Sequence, residues 1–249
     1  MDLPAGQDRS RASEFPSTQW SLVIAAGERD ASAGQRALAE LCRAYWQPLY
    51  TFARRRGLAA ADAQDATQDF FVFLLEQGLV ARADRERGRF RSFLLGSFRH
   101  FLADRHDHAT ALKRGGGALH LSWETIAASE EGIHALSDAA TPETCFDLTW
   151  ARMLTQRALD AVREAYEERG RGETFLALRA FLAGSDLPTY VDAGQQLGLT
   201  EAAVASAIHR LRQDYRTALR RLVAQTVRDP AEIDDELRYL LSALTRAPG

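Results

Sequence analysis

Apolar side chains recur at every third or fourth position along most of the chain, and this spacing predicts an all-α fold. Almost no segment alternates apolar and polar residues over the length of a β-strand. Residues 33–56 show the helical pattern through Leu38, Leu41, Tyr45, Leu49 and Phe52. Pro48 lies within this pattern and should kink or interrupt the helix. Gly57 follows in a position suited to a C-terminal cap.

Two further helices are predicted before residue 115. The first covers residues 62–77; its early, exposed positions are Gln64, Asp65, Gln68 and Asp69, and its later, buried positions are Phe70, Phe71, Phe73, Leu74 and Leu75. A loop over residues 79–89 leads into the next helix. One side of that helix carries Phe90, Leu94, Ser97, Phe98, Phe101, Leu102 and Arg105, and another side carries Arg91, Leu95 and Arg99. The first domain is predicted to end near residue 114.

A glycine-rich and then acidic segment follows the first domain. Residues 115–117 are three glycines, but they lack the Gly-Lys-Ser/Thr spacing and the preceding strand of a phosphate-binding loop. We therefore interpret residues 115–145 as a linker. Trp123, Ile126 and Ile133 leave room for short helical turns within it.

Residues 187–210 have the pattern of a helix-turn-helix motif. A short helix is followed by Gly198 in the turn, Leu199 as the wedge between the helices, and Thr200 as the N-cap of the second helix. The small side chain of Ala193 should permit the tight crossing of the two helices, and Val204 and Ile208 should supply their shared core. A plain helical hairpin is the alternative. The surrounding C-terminal domain is predicted over residues 146–228, with a turn at residues 170–172.

The last segment, residues 229–249, predicts a short amphipathic helix and a tail. Asp229 and Pro230 suit an N-cap and the first helical position. The apolar stripe consists of Ile233, Leu237, Leu240, Leu241 and Leu244, and the acids that favour the helix N-terminus are Glu232, Asp234, Asp235 and Glu236. Packing against the C-terminal domain is one role for this helix, and a regulatory contact is the other.

Charge is segregated along the chain, although the formal net charge is only −3. Residues 82–114 contain nine basic residues against four acidic ones, and residues 205–228 contain six arginines against one acid. Residues 118–147 contain six acids and no basic residue. Two basic segments therefore flank an acidic one. Arginine suits phosphate binding and stacking, but GC-rich coding bias also explains why nearly every basic residue is arginine.

Cysteine usage and hydropathy predict a cytoplasmic protein. Cys42 and Cys145 are the two cysteines, and they lie far apart with no CxxC spacing, as in reduced proteins. The longest apolar run, residues 70–75, is much shorter than the roughly 20 residues that span a bilayer. Residues 1–17 lack the apolar stretch of a signal peptide and are predicted to be disordered. No membrane contact is expected.

Arginines alternate with aromatic residues over residues 85–105, where the loop enters the third predicted helix. Guanidinium groups neutralise phosphates, and aromatic rings stack on unpaired bases at about 1–3 kcal/mol per base. Binding to duplex DNA alone does not need exposed aromatic residues. The segment therefore predicts binding of a single nucleic-acid strand.

The order of these features resembles bacterial RNA polymerase sigma factors of the extracytoplasmic-function group, which retain sigma regions 2 and 4. The N-terminal resemblance covers residues 18–117 and includes Thr18-Gln19-Trp20-Ser21-Leu22-Val23 and Cys42-Arg43-Ala44-Tyr45-Trp46. It implies a region 2-like helical domain over residues 18–114 and a region 4-like helix-turn-helix domain over residues 146–228. The implied function is to bind core RNA polymerase, recognise promoters, open the minus-ten element and start transcription, with no catalytic residue and no cofactor.

The resemblance also implies two groups of site residues in the first domain. The polymerase-binding group, which would dock on the clamp helices of the largest subunit, consists of Asp65, Gln68 and Asp69. A solvated helix face is the alternative for these three. The group that would hold the minus-ten strand consists of Arg85, Arg87, Arg89, Arg91, Phe93, Arg99, His100 and Arg105. The core should instead contain Phe90, Phe98 and Phe101, which share a face.

In the helix-turn-helix motif the resemblance implies contacts to the minus-35 element from Thr200, Ser206, His209, Arg210, Arg212 and Arg216. Here the sequence departs from the family pattern, because several positions of the second helix are alanines: Ala202, Ala203, Ala205 and Ala207. Few side chains are left for the bidentate base contacts that discriminate by about 1–3 kcal/mol each. We therefore expect mostly phosphate contacts and weak base readout.

Two other classes of function compete with a sigma factor. A stand-alone helix-turn-helix regulator of duplex DNA is the alternative. An enzyme has little support, since the chain has no nucleotide-binding glycine loop after a strand, no nucleophile elbow and no HExxH motif. His100, His106 and His108 do not form a metal site on spacing alone.

The expected partners are core RNA polymerase, promoter DNA, and an anti-sigma factor or another regulator. The acidic linker either mimics nucleic acid inside the polymerase or is only a solvated spacer.

Overall fold

A computed structural model describes residues 44–76, 89–109, 133, 140–183, 188–227 and 229–246 of the chain. Every regular element among these residues is helical, which confirms the all-α prediction for this part of the protein. The predicted disordered residues 1–17, most of the loop over residues 79–89 and most of the linker over residues 115–145 lie outside the described residues.

Nine α-helices are described, numbered here in chain order. The first four are α1 at residues 44–55, α2 at Ala60–Glu76, α3 at Phe90–Ala109 and α4 at Pro142–Glu168. The remaining five are α5 at Gly172–Leu178, α6 at Ala180–Ala183, α7 at Tyr190–Leu197, α8 at Glu201–Ala224 and α9 at Ile233–Thr245. A 3₁₀ turn, Pro230–Glu232, precedes α9. None of the helices described is long and apolar enough to cross a membrane.

Helix α1 ends where the sequence predicts but is not interrupted by its proline. The helix continues through Pro48, so of the predicted kink or interruption the interruption is wrong. Gly57 has a φ of +93°, which a residue with a side chain rarely adopts. The Leu58 amide donates to the Ala53 carbonyl at 3.2 Å and closes the last turn.

Aromatic rings from α1, α2 and α3 form a first hydrophobic core. Phe98 is the centre, with its ring centroid 4.8 Å from Phe70 and 6.1 Å from Phe52. Tyr45 meets Phe90 at 5.3 Å. These rings are almost completely buried, as their shared helix faces predict. Phe101 is only half-buried, at the edge of this core.

Helix α4 contributes residues to both hydrophobic cores, and the predicted domain boundary at residue 146 falls near its start. Phe146 and Trp150, near its start, are fully buried in the first core. Val162 and Tyr166, three to four turns later, are buried in a second core with α5, α7 and α8. The buried residues of this 27-residue helix extend from Cys145 to Tyr166, so one helix serves both packing units. Gly170, with a φ of +66°, makes the predicted turn after it.

Helix α9 packs against α4 and α8, as predicted for its structural role. Asp229 accepts a hydrogen bond from the Ala231 amide at 2.8 Å and thus caps the 3₁₀ turn. Leu240 is completely buried in the first core. Leu241, assigned to the same apolar stripe from the sequence, is 55% exposed. Leu241 therefore lies outside the buried face of α9. That face includes the acidic residue Glu236.

Candidate nucleic-acid interface

The turn between α7 and α8 depends on a close backbone approach at Gly194. Both the Gly198 and Leu199 amides donate to the Gly194 carbonyl, the latter at 2.9 Å. A Cβ atom on Gly194 would lie only 2.7 Å from the Leu199 carbonyl oxygen. Gly198 adopts the left-handed conformation, with φ 65° and ψ 33°. Sequence reasoning assigned the tight crossing to Ala193, whereas Gly194 is the residue on which the turn closes.

Hydroxyl groups cap both helices of this motif. The Thr189 side chain accepts from the Asp192 amide at 3.1 Å, and the Asp192 carboxylate accepts from the Thr189 amide at 3.2 Å, forming a capping box. Thr200 accepts from the Ala203 amide at 3.3 Å, as predicted for an N-cap. Leu199 is 41% exposed, so its predicted role as a buried wedge is wrong. Val204 and Ile208 form the buried side of α8 as expected.

One face of α8 presents polar and basic side chains to solvent. Ser206, His209, Arg210 and Arg216 are all exposed at helical spacing. The Ser206 hydroxyl donates to the Ala202 carbonyl at 3.0 Å, and this bond competes with any contact to a ligand. The opposite face packs in the second core. The exposed face of α8 thus carries four of the residues that the sequence predicts to contact DNA.

Arg212 differs from the other arginines of α8. Its guanidinium donates to the Phe181 carbonyl at 3.1 Å and so ties α8 to α6. The Phe181 carbonyl belongs to the short helix α6, which ends too soon to give it an intrahelical partner. Arg212 therefore links α8 to α6, whereas no such bond to the rest of the chain is described for Arg210 or Arg216.

The residues predicted to hold a single strand divide into exposed and internally bonded ones. Arg99 and His100 are exposed on α3, with an Arg99 nitrogen 3.7 Å from a Glu143 oxygen. Arg105 forms an ion pair with Asp69. Phe93 is half-buried and packs against the first core, with its ring centroid 6.2 Å from that of Phe90. Arg85 and Arg87 lie outside the described residues.

Arg91 corrects the sequence prediction most clearly. The residue is only 6% exposed, and its guanidinium donates to Glu236 at 2.7 Å and to Asp147 at 3.0 Å. Burial alone would lower the pKa of this guanidinium, but the hydrogen bond and charge of Glu236 outweigh it and raise the pKa above its usual value. A buried cation held by two carboxylates is not presented to a nucleic acid in this conformation.

Arg89 is bound to the same carboxylate. Its Nε lies 2.8 Å from a Glu236 oxygen, and its side chain is 30% exposed against 0% for Glu236. The Tyr239 ring lies under both arginines, with centroid distances of 3.9 Å to Arg91 and 5.6 Å to Arg89. The Tyr239 hydroxyl donates to Asp147. Partial burial, together with Asp147, raises the pKa of Tyr239.

Glu236, Asp147 and Tyr239 are the residues that sequence reasoning missed. No local signal points to them, because Arg91 and Glu236 are separated by 145 positions. Glu236 was assigned to the solvent-facing acids that favour a helix N-terminus. An acid at the apolar edge of an amphipathic helix is the only available hint, and it does not identify the arginine that meets it.

The three predicted polymerase-binding residues lie on one side of α2. Asp65 and Asp69 are exposed and Gln68 is half-buried. Asp69 pairs with Arg105 of α3, so one predicted polymerase contact and one predicted strand contact are bonded to each other. Both side chains are part-exposed, at 48% and 34%, and such pairs exchange readily for other partners. Asp65 keeps its carboxylate in solvent.

Within the described ranges, no group of three or more His, Cys, Asp or Glu side chains could hold a metal ion. The side chains of His106 and His108 lie outside those described. Comparison of the chain with protein-family models, with curated proteins and with solved structures gave no match.

Proposed function

We propose that this protein is a sigma factor that binds core RNA polymerase and directs promoter recognition, minus-ten strand opening and transcription initiation. The observation that carries the proposal is the geometry of α7 and α8: a capped short helix, a left-handed glycine turn, and a second helix with an exposed basic face. This is the arrangement with which a helix enters the major groove of DNA. It supports duplex binding in the cytoplasm, where promoter DNA is found.

The N-terminal unit supplies the second part of the proposal. Arg99 and His100 are exposed along α3, where they can reach phosphates of a separated strand. Asp65 is exposed on the neighbouring helix α2 and suits a basic docking surface on a large partner. A protein that binds duplex DNA, a single strand and a polymerase through three separate surfaces has the contacts that initiation requires.

A stand-alone regulator of duplex DNA is the second candidate, and one observation favours it. The arginine and aromatic segment is what separates the two functions, and much of it is internally bonded: Arg91 is buried and Arg89 is paired with Glu236. A regulator would need only the helix-turn-helix surface. Under the sigma-factor proposal these two arginines must be released before they contact a strand.

The decisive experiment adds purified protein to bacterial core RNA polymerase and transcribes a random promoter library. The proposal predicts co-purification with core enzyme and transcripts with aligned start sites that depend on the added protein. Asp65→Arg should abolish both, because it reverses the charge of the proposed docking surface. Glu164→Arg, which reverses an exposed acid on α4, is the matched control and should leave both unchanged. Duplex binding without any association with core enzyme would favour the second candidate instead.

A further inference from the structure

The C-terminal helix α9 forms ion pairs with the arginines at the start of α3. Glu236 of α9 is completely buried and receives hydrogen bonds or ion pairs from both Arg89 and Arg91. A carboxylate presents two oxygens to guanidinium groups with nearly the geometry of a phosphate. Glu236 therefore occupies the position that a strand phosphate would take on these two side chains.

The same helix is also anchored at the ring of Tyr239 and at its own N-terminus. Tyr239 stacks against Arg91 and donates to Asp147 of α4. Asp234, in the first turn of α9, pairs with Arg220 of α8. Acids of this one helix thus neutralise arginines from both basic segments of the chain, residues 82–114 and residues 205–228.

The path into α9 allows it to leave as a unit. Helix α8 ends at Ala224, and two short turns separate it from the start of α9 at Ile233. The first of these turns already contacts α3, because the Phe90 amide donates to the Thr226 carbonyl at 3.4 Å. Release of α9 would therefore change the surroundings of α3 exactly where the proposed strand-binding segment begins its helix.

We propose that α9 is an intramolecular latch: Glu236 holds Arg89 and Arg91 as a substitute for phosphate, and strand binding requires the helix to be displaced. The proposal rests on the sigma-factor function and adds its regulation. In the latched protein the α3 segment binds a strand weakly. In the released protein Arg89 and Arg91 become available to two phosphates.

The latch is tested in the full-length protein with Glu236→Gln, which removes the charge but keeps the shape of the side chain. Fluorescence anisotropy with a 20-nucleotide oligo(dT) measures strand affinity between low and high salt. We expect affinity at low salt to rise between about thirtyfold and a thousandfold, which is the factor by which docking of α9 reduces the released fraction in the wild type. Asp235→Asn is the matched control, since Asp235 pairs within the helix with Arg238; it should bind like wild type.

Equal strand affinity for Glu236→Gln and wild type, with melting temperatures that show both folded, would overturn the latch. If the variant does not fold, hydrogen exchange on the wild type decides instead. Faster exchange over residues 233–245 on oligonucleotide addition supports displacement, and unchanged protection while the strand is bound refutes it.

Transcription with core polymerase separates this failure from failure of the proposed function. Transcripts from wild type with no strand-affinity change in the variant remove the latch alone. No transcripts from either protein remove the sigma-factor function.

Discussion

Replacing Gly194 with alanine should damage the turn between α7 and α8 more than its small size suggests. The new Cβ would lie 2.7 Å from the Leu199 carbonyl oxygen and 3.7 Å from Cγ2 of Val204. The first contact is the severe one, because a backbone oxygen cannot rotate away as a flexible side chain can. The Leu199 amide also donates to the Gly194 carbonyl, so moving Leu199 strains the bond that closes the turn.

Three contributions determine the change in the free energy of unfolding, and two of them are destabilising. Overpacking at a buried position costs about 1–3 kcal/mol, and weakening the Leu199 hydrogen bond costs about 1 kcal/mol more. Alanine is the better helix former by about 1 kcal/mol, which offsets the second cost. Gly194→Ala should therefore lower the free energy of unfolding by about 1–3 kcal/mol.

Gly96→Ala provides a control with the opposite sign. Gly96 lies within α3 and a Cβ there would meet no heavy atom within 4 Å. The change should raise the free energy of unfolding by about 0.5–1 kcal/mol through helix propensity alone. Urea unfolding followed by circular dichroism measures both variants. A Gly194→Ala protein as stable as wild type would show that the backbone does not approach this closely.

Three further outcomes are expected. Thr200→Ala should lower the free energy of unfolding by about 1 kcal/mol through loss of the N-cap, and Thr200→Ser by much less, in the same urea assay. Arg210→Ala should weaken duplex binding evenly across sequences and reduce the salt slope by about 0.9, whereas Arg212→Ala should mainly reduce stability; a strong shift in preferred sequence for either would contradict this. The hydrogen bond and charge of Arg220 lower the pKa of Asp234, so this pair stabilises the fold above the usual carboxyl pKa and its contribution is lost as the pH falls below it. Arg220→Gln should return the pKa of Asp234 to its usual value in an NMR titration.

Local signals in the sequence predicted most of the helices and turns among the described residues. Gly57, Gly170 and Gly198 all have positive φ angles at the predicted turns. Glycine adopts positive φ without steric cost, so a glycine directly after an amphipathic segment indicates a turn. The N-cap at Thr200 is confirmed for the same kind of reason, since a hydroxyl beside free helix amides has one dominant partner. Each of these signals depends only on residues within about four positions of one another.

The contacts that the sequence did not reveal join distant segments of the chain. Periodicity shows which face of a helix is apolar, but it does not identify what that face meets. Arg91 lies beside the apolar face of α3 and was assigned to a nucleic-acid strand, although Glu236 and Asp147 bury it. The same limit applies at the predicted boundary at residue 146. Phe146 and Trp150 look like the start of a new domain in sequence, yet they complete the core of the preceding helices.

The balance of forces at α9 explains how a buried ion pair can act as a latch. When the helix leaves, Arg91 and Glu236 both regain water, so their pairing contributes little net free energy to docking. Burial of Leu240, which is completely enclosed, together with Ala243 contributes about 2–4 kcal/mol.

That contribution corresponds to a released fraction between about one in thirty and one in a thousand. A partner can therefore displace α9, whereas spontaneous release is rare. Because only the released fraction binds a strand, the apparent strand affinity of the wild type is lower by the same factor. Glu236→Gln destabilises the docked state. In that state Arg91 would be buried beside one carboxylate, that of Asp147, whereas in the released state Arg91 is in water. That penalty, about 3–5 kcal/mol for a broken buried pair, equals or exceeds the docking energy. The charge pair thus determines where the helix docks, the apolar contacts determine how tightly, and loss of one charge should open the latch.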